Sequence, residues 1–286
     1  MANDTIIRVR RPDAATPVHR GEETIMQITP ATGWHRRLRN AALAVFLLPM
    51  AADAAISVSH TRLIVTAQTR EAAPSILNEG TRPVLIQTWI DSGGNAPDAA
   101  DADAPFIADP PVFRLEPGQS RSVRVLRVGA VGDFARDRES LFFFNVLEIP
   151  PIADAGAGKQ RNHLQISFQT RIKLFYRPEE VTAKNGADSD PLSFSMALGP
   201  AGQPFLRIAN PTPLHQTLGM LTVVAADGTE YPLTAPMLAP AQRLELPLQT
   251  EVKSKQREDG WKARYSTIDD IGVEHAHEQV LPMAGH

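Results

Sequence analysis

The sequence predicts an all-β protein built of two immunoglobulin-like sandwiches set at an angle, with a cleft between them. Three observations predict it. Short apolar runs separated by turn chemistry recur from Ile56 to Arg177, and again after Pro191. The 286 residues hold 24 prolines and few long helical patterns. The stretch joining the two series is too short to let them move freely.

The elements follow in order. Ile56 to Thr66 reads as a strand, and Ala73 to Leu77 as a second, closed by an Asn78-Glu79-Gly80 turn. Val84 to Ile90 is strongly strand-like, and Gly93 to Asp103 is a polar, alanine-rich loop. Phe113 to Leu115 precedes a Glu116-Pro117-Gly118 turn. Ser122 to Val128 alternates, and Leu141 to Ile149 is an aromatic-rich strand ended by Pro150-Pro151. Leu164 to Tyr176 closes a series of about seven strands. Arg177-Pro178-Glu179-Glu180 marks a boundary, giving domains over 55–178 and 181–286. The second contains strands at Leu192 to Leu198, Pro204 to Asn210, Gln216 to Ala225, Arg243 to Leu248 and Trp261 to Ile268, with a hairpin turn at Asp227-Gly228.

Ahead of both domains, His35-Arg36-Arg37-Leu38-Arg39 is a basic patch and Ala41 to Ala52 a short apolar run. Ala52 and Ala54 supply the small residues read by a signal peptidase. Residues 1–54 therefore read as an N-terminal extension and signal peptide, cleaved after Ala54. The run is too short for a comfortable membrane span, so no membrane insertion is expected once it is removed. Met26 is an alternative start.

Charge and composition exclude several functions. With 29 basic and 32 acidic residues the net charge is −3, the wrong sign for a nucleic-acid footprint. Without cysteine there is neither a disulfide framework nor a thiolate metal site. Gly156-Ala157-Gly158-Lys159 resembles the tail of a phosphate loop, but Ala153 stands where the first glycine belongs and Gln160 replaces the magnesium-binding hydroxyl. His275 and His277, flanked by Glu274 and Glu278, alternate as on a solvated edge strand rather than as a metal site. No catalytic constellation emerges, so neither an enzyme nor a cofactor is expected.

The last strand of the first domain carries the strongest functional signal. Leu164, Ile166 and Phe168 form an apolar row at period two. An ordinary sheet buries such a row, and a strand reserved for another protein has the same pattern.

Together with Asp137-Arg138-Glu139-Ser140-Leu141-Phe142-Phe143-Phe144-Asn145-Val146-Leu147-Glu148-Ile149-Pro150-Pro151, that strand resembles the PapD-like periplasmic pilus chaperones of the chaperone–usher pathway. Val112-Phe113-Arg114-Leu115-Glu116-Pro117-Gly118, Asn210-Pro211-Thr212-Pro213 and Ile268-Asp269-Asp270-Ile271-Gly272 extend the resemblance over nearly all of the chain after Ala54. The resemblance implies a chaperone that binds, folds and caps pilus subunits by donor-strand complementation, a known form of strand addition. It implies delivery to an outer-membrane usher, and residence in the periplasm. Leu164, Ile166 and Phe168 would enter the subunit's groove. Arg62 and Lys173 would hold the subunit's C-terminal carboxylate, although Lys173 has the opposite parity from the donor row. Glu139, Arg177 and Asp270 would form an ion network linking the domains. The short segment Ile152 to His163 matches the branch that serves rod-like fimbriae more often than thin fibres. The competing reading is a secreted structural or adhesive immunoglobulin-like module.

Overall fold

The computed structural model describes residues 4–9, 56–94, 99, 102–128, 134–151, 166–182, 192–199, 203–248 and 260–283. Leu164, the signal peptide with its cleavage site, the 152–163 segment with Gly156-Ala157-Gly158-Lys159, and the charged stretch 251–259 lie outside them.

The strands of the first half are β1 (Asp4–Val9), β2 (Ile56–Val58), β3 (Arg62–Thr66), β4 (Glu71–Ala72), β5 (Ser75–Asn78), β6 (Val84–Asp91), β7 (Phe106–Asp109), β8 (Val112–Leu115), β9 (Ser120–Ser122), β10 (Arg124–Arg127), β11 (Ser140–Ile149) and β12 (Ile166–Arg177). A single helical turn, Glu179–Thr182, follows. The second half holds β13 (Ser193–Leu198), β14 (Pro204–Ala209), β15 (Gln216–Val224), β16 (Glu230–Pro232), β17 (Met237–Leu238), β18 (Arg243–Pro247), β19 (Lys262–Ile268) and β20 (Glu274–Val280).

One sheet of the first domain runs β1-β12-β11-β6-β8, with β3 also on β12, and shorter sheets β4-β10-β7 and β2-β5-β9 complete it. The second domain pairs β13-β14-β18 with β16-β15-β19-β20, and β17 joins β15. Each domain has its own core. Phe144, Ile86 and Leu174 are fully buried in the first, and Trp261, Tyr265 and Leu206 in the second.

Ile56 to Thr66 is not one strand, as its apolar content suggests. The chain breaks at Ser59-His60-Thr61, so β2 pairs with β5 and β3 pairs with β12 in a different sheet. Ser59 drives the break: its amide donates to the Ser75 carbonyl and its hydroxyl contacts His60 Nδ1. This switch between sheets brings Arg62 beside the end of the domain. His275 and His277 lie on β20, an edge strand. They pair with Asp269 and Thr267 respectively.

Strand β12 positions the site. Its even-numbered residues Ile172, Leu174 and Tyr176 pack in the first core. Further back on the same face, Ile166 and Phe168 are only half-buried, because the core ends before the strand does. One edge of β12 pairs with β11 from Phe168 to Tyr176. The other edge is divided. Parallel β3 covers Lys173 to Arg177, and antiparallel β1 covers Ile166 to Arg171.

Candidate functional site: the interdomain cleft and the edge of β12

Arg62 and Lys173 lie 111 positions apart in sequence yet face each other in register across β3 and β12. Both line a cavity of about 340 Å³ between the domains, with Phe143 and Arg171 from the first domain and Thr217 and Ile268 from the second. The Arg62 guanidinium donates to the Ile268 carbonyl at 3.0 Å, and its buried Nε has no hydrogen-bond partner. Burial pulls the Arg62 pKa below its ordinary value, against the opposing pull of Asp270, Asp269 and Glu139. A half-desolvated guanidinium with a spare donor favours a bound anion, and a carboxylate satisfies it in both charge and geometry.

The cavity opens where β3 stops. From Lys173 towards the N-terminus of β12 the edge beyond β3 is the segment carrying Ile166 and Phe168. In the full-length chain β1 occupies it, with Ile7 opposite Phe168 and Val9 opposite Ile166. The edge of β12 therefore accepts a strand along the stretch the sequence singled out.

The three residues of the expected ion network come together. Glu139 is almost fully buried and accepts from Arg177 Nε at 2.7 Å. Arg177 also donates two hydrogen bonds to Asp270, at 2.5 and 2.6 Å. Burial opposes the Arg177 charge, but Asp270 and Glu139 overcome it and raise the pKa.

Two groups of polar residues went unread in the sequence. His215 donates its amide to Glu139 Oε2 at 2.8 Å, and its ring Nδ1 lies 2.9 Å from the same oxygen. Its ring packs against Phe175, whose side chain is buried outside the first core. Only its place two residues after Pro213 hinted at this role. The second group is a buried row of Asp91, Asn145, Gln169 and Arg171. Its one visible signal was an asparagine in the middle of an aromatic strand.

Comparison with known proteins bears on the whole arrangement. Residues 55–182 match the PapD N-terminal domain of pili and flagellar-assembly chaperones, and residues 189–279 match the PapD C-terminal domain of pili-assembly chaperones. The chaperone protein FimB/FhaD of Bordetella pertussis is 36% identical over 247 residues, 84% of this chain and 94% of that protein. The probable fimbrial chaperone YadV of Escherichia coli K12 is 34% identical over 190 residues, 65% of this chain and 74% of that protein. The YadV crystal structure superposes with a TM-score of 0.62 at 28% identity, over 79% of this chain and 100% of its own. The SafB chaperone of Salmonella enterica, solved in complex with SafA pilin, superposes with a TM-score of 0.59 at 27% identity, over 79% of this chain and 96% of that chain.

Proposed function

The chain belongs to the PapD family of pilus-assembly chaperones, and from that premise and the cleft geometry we propose that it folds and caps pilus subunits by lending them strand β12. The observation that carries the proposal is the register of Arg62 with Lys173 at the point where the covered edge of β12 gives way to Ile166 and Phe168. A subunit lacking its last strand exposes core side chains and unpaired backbone groups. The backbone of β12 supplies the missing hydrogen bonds. Leu164, Ile166 and Phe168 fill the groove, each contributing roughly 1.5–3 kcal/mol before ordering costs. The subunit's terminal carboxylate sits between Arg62 and Lys173 and sets the register of the added strand. The Glu139–Arg177–Asp270 network, with His215, holds the second domain against the cleft.

The edge becomes available by processing. Cleavage after Ala54 removes residues 1–54, and with them β1, leaving the segment from Ile166 to Arg171 open on that side. The chain then acts in the periplasm and delivers its subunit to an outer-membrane usher. It performs no catalysis and uses no cofactor or metal.

The test is co-expression with a pilus subunit from the same organism. The unaltered chain is expected to yield a one-to-one complex and protect the pilin from proteolysis. Arg62→Ala with Lys173→Ala should abolish protection while the chaperone stays folded. Full protection by the folded double variant would exclude the anchor assignment.

A further inference from the structure

A row of buried polar side chains crosses three strands of the first domain and ends on the donor segment. Asp91 Oδ2, at the end of β6, accepts from Asn145 Nδ2 of β11 at 2.6 Å. Asn145 Oδ1 accepts from Gln169 Nε2 of β12 at 3.0 Å. Asp91 Oδ1 accepts from the Arg171 guanidinium at 2.5 Å and from the Gly93 amide at 2.8 Å. Arg171 also donates to the Gly94 carbonyl at 3.1 Å, and its guanidinium lies 3.9 Å from the centre of the Phe143 ring. The Asp91 side chain is wholly buried and that of Arg171 is 10% exposed.

Stability alone does not account for this row. A buried ion pair adds little over well-packed apolar residues of the same volume, whereas specificity is its better-attested use. The place of Arg171 indicates what is being specified. Arg171 and Lys173 lie on one face of β12, about 6.6 Å apart along the strand, and both line the interdomain cavity. An added strand that slips by one residue turns every side chain to the wrong face. A slip of two residues has no such penalty. It needs only a second cation, two positions upstream, able to hold the terminal carboxylate in place of Lys173. Arg171 is that cation: Asp91 holds its Nη2 and the Gly94 carbonyl its Nη1, which leaves only a buried Nε without a partner.

We infer that Asp91 masks Arg171 and so prevents an added strand from docking two residues out of register. The inference rests on the reading of β12 as the lent strand. The masking is an element of negative selection: the decoy anchor is neutralised inside the protein, and the Arg62–Lys173 pair alone reads the carboxylate.

The experiment uses the processed chain recovered from the periplasm. The probe is an eight-residue peptide of alternating threonine and valine with a free C-terminal carboxylate and a benzoylphenylalanine at its fourth position. Its C-terminal amide is the control. Photocross-linking followed by mass spectrometry locates the labelled residue. The unaltered chain should give one carboxylate-dependent cross-link site. Asp91→Asn should add a second site two residues towards the N-terminus of β12, carrying at least a fifth of the product. Asp91→Asn combined with Arg171→Gln should restore the single site. Lys173→Gln leaves the four side chains of the buried row themselves unchanged. It should lose carboxylate-dependent cross-linking at least tenfold rather than move to the upstream register. A single site in folded Asp91→Asn, or an upstream site in Lys173→Gln, would overturn the inference while leaving the donor reading intact. Absence of any carboxylate-dependent cross-link in the unaltered chain would overturn both.

Discussion

Replacing Glu139 by glutamine should loosen the junction between the domains more than replacing Asp270 by asparagine. The Glu139 side chain is 1% exposed, and its carboxylate accepts from Arg177 Nε, the His215 amide and His215 Nδ1. Glutamine keeps the shape but offers one carbonyl oxygen where two carboxylate oxygens were used, and it turns an NH₂ towards existing donors. Losing one partner of a buried pair costs about 3–5 kcal/mol. The cost here is reduced because Arg177 keeps both hydrogen bonds to Asp270. The orphaned His215 amide adds about 1–3 kcal/mol. With Arg177 still held by Asp270 the first contribution falls to about 1 kcal/mol, so the net loss is about 2–4 kcal/mol, or a fall in Tm of roughly 5–15 °C for a chain of this size. Asp270→Asn provides the contrast. That side chain is 55% exposed, and its removal leaves Arg177 paired with Glu139, so the loss should be about 1 kcal/mol or less. Scanning calorimetry on a chain starting at Ala55 is the assay. Glu139→Gln should also separate one coupled transition into two, because Glu139 bridges a first-domain strand to His215 of the second. If Glu139→Gln melts within about 2 °C of the unaltered protein, or if Asp270→Asn costs as much, the buried carboxylate is not the clasp described here.

Other consequences follow from the same strand and its surroundings. Along one face of β12, Leu174→Ala should cost about 2–5 kcal/mol because the site is fully buried. Ile166→Asp, on the half-buried part of that face, should leave Tm nearly unchanged and abolish subunit binding. A large fall in Tm would show Ile166 to be core. Hydrogen exchange of the amides from Ile166 to Arg171 should be slower in the full-length chain than in one starting at Ala55, and equal rates would exclude β1 as a cover. The loop before β20 should be sensitive to acid. A hydrogen bond with His275 holds the Asp269 pKa below its ordinary value, aided by the Val273 and Ile271 amides. A depressed folded-state pKa means that the stabilisation is present above about pH 4 and lost as pH falls through the folded value. Asp269→Asn should therefore flatten the acid limb of the urea-midpoint curve below about pH 4.

The legible parts of the sequence were those governed by period and by local turn chemistry. β6, β11 and β12 appear where alternating or aromatic runs place them, because side chains on a half-buried sheet must follow a period of two. The hairpin at Asp227-Gly228 appears for an equally local reason, with Gly228 at positive φ. The break between β2 and β3 was hidden, since it depends on hydrogen bonds exchanged between Ser59 and Ser75, on a strand 16 residues away: the Ser59 amide donates to the Ser75 carbonyl and the Ser59 hydroxyl accepts from the Ser75 amide. Arg62 and Lys173 were legible as a pair only through the family resemblance, since parallel pairing of β3 with β12 joins segments that no spacing rule connects. The Asp91–Asn145–Gln169–Arg171 row was less visible still, since each member reads alone as a surface polar residue.

These hidden features share a physical origin and bear on one requirement. A strand that is to complete another protein's sheet must be fixed firmly on one edge and left accessible on the other. Pairing with β11 and the polar row provide the fixed edge, through Gln169 and Arg171 on the face opposite the donor row. The other edge, which β1 covers from Ile166 to Arg171 in the full-length chain, is left uncovered by β3 because β3 begins at Arg62, level with Lys173, instead of running the length of β12. The Ser59-His60-Thr61 break sets that starting point. The same sheet switch that limits the cover of β12 by β3 therefore delivers Arg62 to the cleft, so the extent of that cover and the place of Arg62 are fixed by one backbone event.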